Sequence, residues 1–530
     1  PKSVQSIISR AKDSMTDCAE FKKTYASDFR MSKISEIYSL YQSKLQANSA
    51  LDFDDIILLT VKLLTEFPEV LEFYSSKFKY ILVDEYQDTN HCQFELVRLL
   101  SSKHKNICVV GDDDQSIYKF RGANIENILN FEKIFKNARV IKLEQNYRSV
   151  KSILDVANCV IANNIERKDK ALWTAKTGGE KPKLYTASTE HDEAYFVANK
   201  ITELRRSRQY SDFAVLYRTN AQSRVIEATF RNNGIPYRVV GGLRFYDRKE
   251  VKDIIAYLRL VANRADNVSL KRIINEPKRG IGAKSMETAE ALANREGKPL
   301  FEIVSAASMY EDIPKAAAAK FDSFSKMILS FEKIQDNVIV LLDSLLEASG
   351  YIHALELENT VEAQSRIENI KELRSAVSDY VTQSGGEADL SGFLEQVSLV
   401  SDVDNYDETE DAVVLMTLHS VKGLEFPVVF LCGMEENVFP SFRSVTEQGG
   451  IEEERRLCYV GITRAREMLF MSCASQRTLF GNTSYNKESR FLGEIAPELI
   501  DRLVKKQPEL PESVTKKPKI TGEMLFGGNF

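Results

Sequence analysis

The stretch AVVLMTLHSVKGLEFPVVFLCGM, residues 412–434, decides the fold. It holds two apolar runs, 412–419 and 427–434, on either side of a short polar segment. Continuous apolar runs of this length are typical of strands that are buried on both faces of a parallel sheet. In open α/β sheets, ligands bind at the carboxyl ends of such strands. The stretch therefore predicts an α/β protein with a ligand site at that edge of its sheet.

Similar apolar runs form two sets along the chain. The first set contains YILVDE (80–85), NICVVGD (106–112) and ARVIKLEQN (138–146). The second set contains KLYTA (183–187), FAVLYRT (213–219), PYRVVGG (236–242), the two runs quoted above and MLFMSCA (468–474). Residues 248–410, which interrupt the second set, have an almost entirely helical pattern. We therefore expect two domains with parallel sheets, the second of them interrupted by a large helical insertion.

Composition excludes several classes of protein. The 530 residues carry a formal net charge of −6 and are 43% hydrophobic, which is ordinary for a globular chain. No apolar run is long enough to predict a membrane span or a secretory signal, so we expect a cytoplasmic protein with no membrane partner. The seven cysteines are scattered singly, which argues against disulfides and against a zinc site and predicts reduced core residues.

Two segments of the first set end in side chains suited to phosphoryl transfer. VDEYQD (83–88) places Asp84 and Glu85 just after a strand, where one carboxylate can bind Mg²⁺ and the other can position or deprotonate water. Helix capping or simple solvation is the alternative. GDDDQSIYKFRGA (111–123) offers Gln115 to a γ-phosphate. Its aromatic residues Tyr118 and Phe120 alternate with cations, a pattern that suits stacked bases and a phosphate backbone, although such aromatics are more often core.

Two further segments supply arginines. EQNYRS (144–149) sets an arginine beside a tyrosine at a strand end. EEERRLCYVGITRAR (452–466) has the pattern of an amphipathic helix that carries Arg464 and Arg466. Arginine neutralises charge on a transferring phosphoryl group, and an arginine from a second domain makes domain closure part of the chemistry. A surface ion pair is the alternative for each arginine taken singly.

Together, these segments resemble the UvrD/Rep/PcrA family of superfamily 1 DNA helicases, and most closely its PcrA branch. VDEYQDTN, GDDDQSIYKFRGA, LEQNYRS, VVLMTLHSVKGLEFPVVF and EEERRLCYVGITRAR are similar to helicase motifs II, III, IV, V and VI. The resemblance extends from LDFDD (51–55) to about residue 495. One departure is Phe120, at a place where the family often has tryptophan, so we expect stacking there to be somewhat weaker.

The resemblance implies a role for each matching residue. For ATP, it implies that Asp84 associates with Mg²⁺, Glu85 is the catalytic base, Gln115 contacts the γ-phosphate or the attacking water, Tyr147 stacks on adenine, Arg148 and Arg464 contact the γ-phosphate, and Glu425 lies near the ribose. For DNA, it implies base or backbone contacts by Phe53, Tyr118, Phe120, Arg121, Arg218, Asn220 and His419.

The resemblance also implies a domain layout. Residues 1–50 would be a helical remnant of accessory domain 1B, 51–148 the C-terminal part of RecA-like domain 1A, 149–247 and 411–500 the two parts of RecA-like domain 2A, 248–410 the helical accessory domain 2B, and 501–530 a flexible tail.

A phosphate loop of the Walker A type, GxxxxGK[ST] after a buried strand, is expected in this family. No Gly-Lys-Ser or Gly-Lys-Thr occurs among the 530 residues. We therefore expect a piece of a longer protein, with an incomplete first RecA-like domain and no ATPase activity alone. RGIGAKS (279–285) is not such a loop, because it follows the helical LKRIINEPK. It predicts a hairpin between helices whose Gly280 and Gly282 approach duplex phosphates.

The expected function is that of an ATP-dependent 3′→5′ helicase or translocase on single-stranded DNA, active in repair or replication. ATP and Mg²⁺ are the expected substrate and cofactor. Single-stranded DNA and single/double-strand junctions are the expected partners, together with repair or replication proteins. Two alternatives stay open: a non-catalytic DNA-binding module, and the motor of a recombinational-repair helicase-nuclease.

Overall fold

The computed structural model describes residues 2–385, 388–402, 411–479 and 481–503. Three units follow from its secondary structure. The first unit comprises residues 2–148, the second unit residues 149–247 and 411–503, and the helical insertion residues 248–402. The α/β fold class with a large parallel sheet is thereby confirmed.

The first unit is mainly helical and contains a small parallel sheet. Its elements are α1 (Lys2–Asp13), α2 (Cys18–Thr24), α3 (Phe29–Ala47), α4 (Phe53–Glu66), α5 (Pro68–Lys77), β1 (Ile81–Val83), α6 (His91–Leu100), β2 (Ile107–Val109), α7 (Glu126–Leu129) and α8 (Phe131–Ile134). β1 and β2 pair in parallel. Leu82 of β1 and Val110, which directly follows β2, are exposed. Cys108 of β2 is also exposed, so the predicted core position is wrong for this cysteine; all seven cysteines are free.

The predicted strand at 138–146 is wrong. Only one isolated bridge forms there, between Gln145 and Trp173. Ile141 and Leu143 are exposed, and among the described residues no strand pairs with 138–143. An apolar run adopts a stable strand only where a neighbouring strand accepts its hydrogen bonds.

The second unit is built on a seven-stranded sheet in which every pairing is parallel. Its strands are β3 (Lys183–Ala187), β4 (Phe213–Tyr217), β5 (Tyr237–Val240), β6 (Val413–Thr417), β7 (Phe426–Leu431), β8 (Ala465–Ala474) and β11 (Asp501–Leu503), in the order β11-β3-β8-β7-β4-β6-β5. A separate antiparallel hairpin joins β9 (Gln476–Leu479) and β10 (Asn482–Tyr485). The six apolar runs of the second set are thus confirmed as strands.

Helices cover both faces of this sheet, which is why its strands β4, β6 and β7 are almost wholly apolar. The helices are α9 (Lys151–Ile161), α10 (Glu190–Leu204), α11 (Ser223–Asn232), α21 (Phe442–Thr446), α22 (Gly450–Ile462) and α23 (Arg490–Gly493). Residues of α9 and α22 form one core with the sheet, and residues of α10 and α11 form the other. A buried ion cluster joins Arg477 to Glu193 and Glu435.

The helical insertion lies between β5 and β6 and has its own apolar core. It consists of α12 (Lys249–Ala262), α13 (Asn267–Ile273), α14 (Ala283–Glu296), α15 (Leu300–Ser305), α16 (Lys315–Ser330), α17 (Val338–Ser349), α18 (Tyr351–Glu358), α19 (Val361–Gln383) and α20 (Leu390–Asp402). The predicted helical character is confirmed for the described residues of the insertion; residues 386–387 and 403–410 lie outside them. No single described helix is long and apolar enough to span a bilayer, and α17 and α18 reach that length only together, across a 52° bend.

The predicted flexible tail at 501–530 is wrong at its start. Asp501–Leu503 form β11, which pairs in parallel with β3 and is the edge strand of the sheet. These three residues include two charged side chains and have no apolar pattern that would predict a strand. They form a strand because β3 lies beside them and pairs with them. Residues 504–530 lie outside the described residues.

Candidate nucleotide and DNA site

The two carboxylates predicted for phosphoryl transfer follow β1 directly. Glu85 has a φ of +50°, in the left-handed region that side chains other than glycine seldom occupy. Its amide donates to Asp84 Oδ1 at 2.8 Å, and its Oε2 accepts from Gln87 Nε2 at 2.6 Å. Both carboxylates are exposed. Strained backbone of this kind is concentrated at functional sites, which supports a role for this turn.

Lys422 of the second unit reaches across to this turn. Its Nζ lies 3.0 Å from Glu85 Oε2, pairs with Asp88 and donates to the Gln115 carbonyl at 3.0 Å. Its side chain is almost fully buried. Sequence reasoning missed Lys422, although its place just after β6, in VKGLEF, was a usable signal. A buried cation between the units ties the carboxylate turn to the second unit.

Gln115 and Arg464 meet where the first and second units face each other, and we call this boundary the cleft. Gln115 Oε1 accepts from Arg464 Nη2 at 3.2 Å, and Gln115 Nε2 donates to Asp112 Oδ2 at 2.7 Å. Arg464 also donates to the carbonyls of Val460, at 2.9 Å, and Leu424, at 3.3 Å. Burial, with a further contribution from the nearby Arg148, lowers the pKa of Arg464 to about 10. The guanidinium is therefore held rigidly and still charged at neutral pH.

Arg148 and Glu425 form the next part of the cleft. Arg148 Nε donates to Glu425 Oε2, and Arg466 donates to Glu425 Oε1. Hydrogen bonds from Arg148 and then Arg466 lower the pKa of Glu425 to about 2. Tyr147, beside Arg148, is 74% exposed, and its hydroxyl donates to Gln145 at 3.0 Å. Its ring face is thus free to take a flat ligand.

The predicted helix at 452–466 is wrong at its end. α22 stops at Ile462, Arg464 lies in the turn that follows, and Arg466 is in β8. The Thr463 hydroxyl donates to the Tyr459 carbonyl at 2.9 Å within that turn. The two arginines consequently leave the helix at the edge of the cleft and do not extend along a helix face.

Aromatic residues gather beside Gln115 on the same loop. The ring centroids of Phe120 and His419 are 5.4 Å apart, those of Tyr118 and Phe120 are 6.0 Å apart, and the Arg121 guanidinium lies 5.4–5.5 Å from the two rings of Tyr118 and Phe120. We call these four residues the aromatic cluster. Phe120 is half exposed. Burial, helped by the cations Arg218 and Arg121, lowers the pKa of His419 to about 3, so its ring is neutral.

The other predicted DNA contacts lie outside the aromatic cluster. Phe53, the first residue of α4, is 89% exposed. Arg218 donates three hydrogen bonds to Glu454, of 2.7, 2.9 and 3.1 Å, and forms an ion pair with it. Asn220 begins a short 3₁₀ turn after β4 and is partly exposed. Gly280 and Gly282 lie in the loop between α13 and α14 of the helical insertion, and the Gly280 carbonyl accepts from Lys320.

The comparisons with known proteins agree with this arrangement. Residues 1–136 match the UvrD/REP helicase N-terminal domain, and residues 141–476 match the UvrD-like helicase C-terminal domain. This chain belongs to the UvrD-like helicase family. It is 49% identical over 526 residues to the ATP-dependent DNA helicase PcrA of Bacillus subtilis, covering 97% of this chain and 71% of that one.

Other UvrD-like helicases show the same level of similarity. The ATP-dependent DNA helicase PcrA of Staphylococcus aureus is 49% identical over 507 residues, covering 94% of this chain and 69% of the relative. A solved C-terminal domain of a possible DNA helicase from Lactobacillus aligns over 67% of this chain and 98% of its own, with 9% identity and a TM-score of 0.27. A likeness that weak says nothing about this fold.

Seen as a UvrD-like helicase, the chain has its predicted nucleotide residues on two facing surfaces. Asp84, Glu85, Gln115 and Arg148 belong to the first unit, of which Arg148 is the last residue, and Glu425 and Arg464 belong to the second. Direct contacts link Gln115 to Arg464 and Arg148 to Glu425. Asp84 and Tyr147 make only local contacts among the described residues.

Proposed function

We propose that this UvrD-like helicase is an ATP-driven motor on single-stranded DNA that moves 3′→5′ and separates strands at single/double-strand junctions. The observation that carries the proposal is the cleft between the units, where Glu85 and Gln115 face Lys422 and Arg464. Tyr118, Phe120 and Arg121 of the aromatic cluster lie on the same loop as Gln115, so this loop would serve both nucleotide and DNA.

On the nucleotide side, each group has a fitting chemistry. Mg²⁺ in phosphoryl-transfer sites is held by one or two carboxylates together with substrate phosphates, not by an all-protein cage. Asp84 fits that pattern, since one of its oxygens is unused by the Glu85 amide, and the described residues hold no group of three or more metal-ligating side chains. Bound there, the ion would neutralise charge on the phosphates.

The remaining groups act on water and on the γ-phosphate. Glu85 is the proposed base that takes a proton from the attacking water, and Gln115 orients that water or contacts the phosphate. Arg148 and Arg464 neutralise the charge that develops on the transferred group. Arg148 must first leave Glu425, which then becomes available to a ribose hydroxyl. We infer that Tyr147 stacks on the adenine.

On the DNA side, we propose that Phe53, Tyr118, Phe120, Arg121, Arg218, Asn220 and His419 contact the single strand, and that Gly280 and Gly282 approach duplex phosphates. Stacking on aromatic faces tolerates any sequence because every base has a π-face, which is what a translocating motor requires. Neutral His419 would pack on a base or on Phe120 and add no charge of its own. Repair or replication proteins as partners and a cytoplasmic location remain part of the proposal.

A second candidate is a non-catalytic module that binds DNA without hydrolysing ATP. It is favoured by one observation, the absence of a Gly-Lys-Ser or Gly-Lys-Thr phosphate loop from the 530 residues. Backbone amides and a lysine of such a loop normally hold the β- and γ-phosphates.

Two measurements test the proposal, and the second distinguishes the candidates. The first is binding of the chain to single-stranded and duplex oligonucleotides, which either candidate passes. The second is strand displacement on 3′-tailed and 5′-tailed duplexes by a longer polypeptide that adds a phosphate loop ahead of residue 1. We expect ATP-dependent displacement only with the 3′ tail, and we expect Glu85→Gln to abolish turnover while nucleotide binding persists. Turnover by Glu85→Gln within a few-fold of the unmodified protein would contradict the assignment of the base.

A further inference from the structure

The loop between β2 and α7, residues 111–122, belongs to the first unit by sequence but packs into the second. Ile117, near its middle, is completely buried. It lies in the apolar core of the second unit, among residues of α9 and α22 such as Ile153 and Leu457, and Tyr118 packs against that same core. We call residues 111–122 the bridging loop. Its apolar anchor is therefore in the neighbouring unit.

Ionic contacts hold the first half of the bridging loop to the second unit. Lys170 Nζ lies 2.6 Å from Asp112 and 3.2 Å from Asp114, and it also pairs with Asp113. Arg167 donates to both oxygens of Asp114, at 3.1 and 2.8 Å. Burial disfavours the ammonium form, but the three carboxylates outweigh burial and raise the pKa of Lys170 above its ordinary value. Without these cations, three adjacent carboxylates would repel one another.

The second half of the loop is held in the same way. Arg456 Nε of α22 donates to the Ser116 carbonyl at 3.0 Å in a buried hydrogen bond, and Lys422 donates to the Gln115 carbonyl. The Tyr118 hydroxyl donates to the His419 carbonyl at 3.3 Å. Each of these partners belongs to the second unit.

Contacts of the bridging loop with its own unit centre on one residue. The Asp112 amide donates to Gln87 Oε1 at 3.0 Å, and the Ser116 hydroxyl donates to the Gln87 carbonyl at 3.2 Å. Both ends of the loop are glycines, and Gly122 has a φ of +87°, where a side chain would be strained. The bridging loop is thus bonded to the first unit mainly through Gln87, and a glycine, the most flexible residue type, lies at each of its ends.

We propose that the bridging loop moves with the second unit and that Lys170 is the positioning residue that keeps it there. When the units separate, Gln115, Tyr118 and Phe120 then travel with Arg464, and the chain bends at Gly111 and Gly122. The gap that opens lies between Glu85 and Gln115. Closure brings the base of the first unit to a glutamine-arginine pair that is already assembled. The roles of these residues rest on the proposed function, but the attachment of the loop does not.

Hydrogen exchange of the 530-residue chain, followed by mass spectrometry, tests the attachment. The Gln115 amide is bonded to the Asp112 carbonyl at 2.8 Å, so peptides across it report on the loop. Val61 of α4 and Val215 of β4 are both fully buried, one in each unit, and form a matched pair of valine-to-alanine substitutions. We expect Val215→Ala to accelerate exchange in the loop and Val61→Ala to leave it unchanged. Acceleration by Val61→Ala, alone or equally, would overturn the proposal.

Lys170 variants give a second test that survives if Val215→Ala fails to fold. We expect Lys170→Gln to speed exchange in the loop by roughly tenfold or more, because the loss of the Lys170 ion pairs lowers the free energy of local opening. Exchange in β1 should be unaffected. Lys170→Arg should restore protection. The control is Lys168→Gln, because the Lys168 side chain pairs with Glu132. Unchanged exchange in Lys170→Gln, or no rescue by arginine, would overturn the role of Lys170.

DNA affinity separates this inference from the proposed function. Lys170 touches none of the aromatic cluster in the described contacts, yet we expect Lys170→Gln to weaken single-strand binding several-fold because the cluster loses its support. If the unmodified chain binds no single-stranded DNA, the proposed function is wrong. The hydrogen-exchange data still test whether the bridging loop is attached to the second unit.

Discussion

Replacing Phe120 by alanine tests the DNA side of the cleft most directly. Half of the Phe120 side chain is exposed, and its buried half rests on His419, Tyr118 and Arg121. A stacked base contributes roughly 1–3 kcal/mol by alanine substitution. We therefore expect the Kd for single-stranded DNA to rise by a factor of about 5 to 150. Because the ring is only half buried, the free energy of unfolding should fall by about 1 kcal/mol or less.

The assay is fluorescence anisotropy with a labelled oligothymidine at one fixed salt concentration, since affinity depends steeply on salt. Tyr485→Ala is the matched control, because Tyr485 is an exposed aromatic residue on the β9–β10 hairpin. Phe120→Trp should keep or tighten binding through its larger ring. Unchanged affinity in Phe120→Ala, together with a large loss of thermal stability, would refute the reasoning and make Phe120 a packing residue.

Four further predictions concern the chain as a whole. With no phosphate loop in its sequence, the 530-residue chain should hydrolyse no ATP above background, and robust DNA-stimulated hydrolysis would contradict this. Limited proteolysis should degrade residues 1–148 before 149–500, as judged by mass spectrometry of the fragments, because the small sheet of the first unit exposes apolar side chains. Burial lowers the pKa of His419 to about 3, whereas the same group in the unfolded chain keeps its ordinary pKa of 6.5. Between these two pH values only the unfolded chain binds the proton, so the free energy of unfolding should fall as the pH drops from 6.5 towards 3. Urea unfolding at about pH 5 and at about pH 8 should show a smaller fall for His419→Gln. Arg477→Ala leaves two buried carboxylates without their cation and should lower the free energy of unfolding by about 3–5 kcal/mol. Arg502→Ala breaks an exposed ion pair and should lower it by less than about 1 kcal/mol. Equal losses for the two variants in urea titrations would contradict this prediction.

Local patterns were sufficient for the strands that are buried on both sides. The run at 213–219 became β4, whose five residues are all buried. The run at 138–146 has a similar pattern, but among the described residues it makes only the single bridge to Trp173 and has no partner strand, so it forms no strand. β11 is the opposite case: its sequence has no strand pattern, yet it forms a strand because β3 lies beside it. Pairing, and not the run alone, decides whether a strand forms.

Contacts between distant parts of the chain could not be read from local patterns. The roles of Glu85 and Gln115 were predicted from their place after strands and from family resemblance, and these roles remain predictions. Lys422 and Lys170 carry no signal that says which carboxylate they meet, because the partners lie in another unit. Ile117 likewise has the pattern of a loop residue, and only the docked arrangement of the units makes it core.

The position of the helical insertion has a consequence for how the protein is made. β4 is paired on both sides by strands that follow the insertion, β6 and β7. When synthesis has reached Tyr217 and β4 is complete, neither β6 nor β7 has been made. β7 is complete only when synthesis reaches Leu431. At 5–20 residues per second, the nascent chain carries this wholly apolar strand without neighbours for about 10–40 seconds. The helical insertion has its own apolar core and can fold during that wait, whereas β4 is covered on one face only by the α10–α11 layer until its partner strands are made.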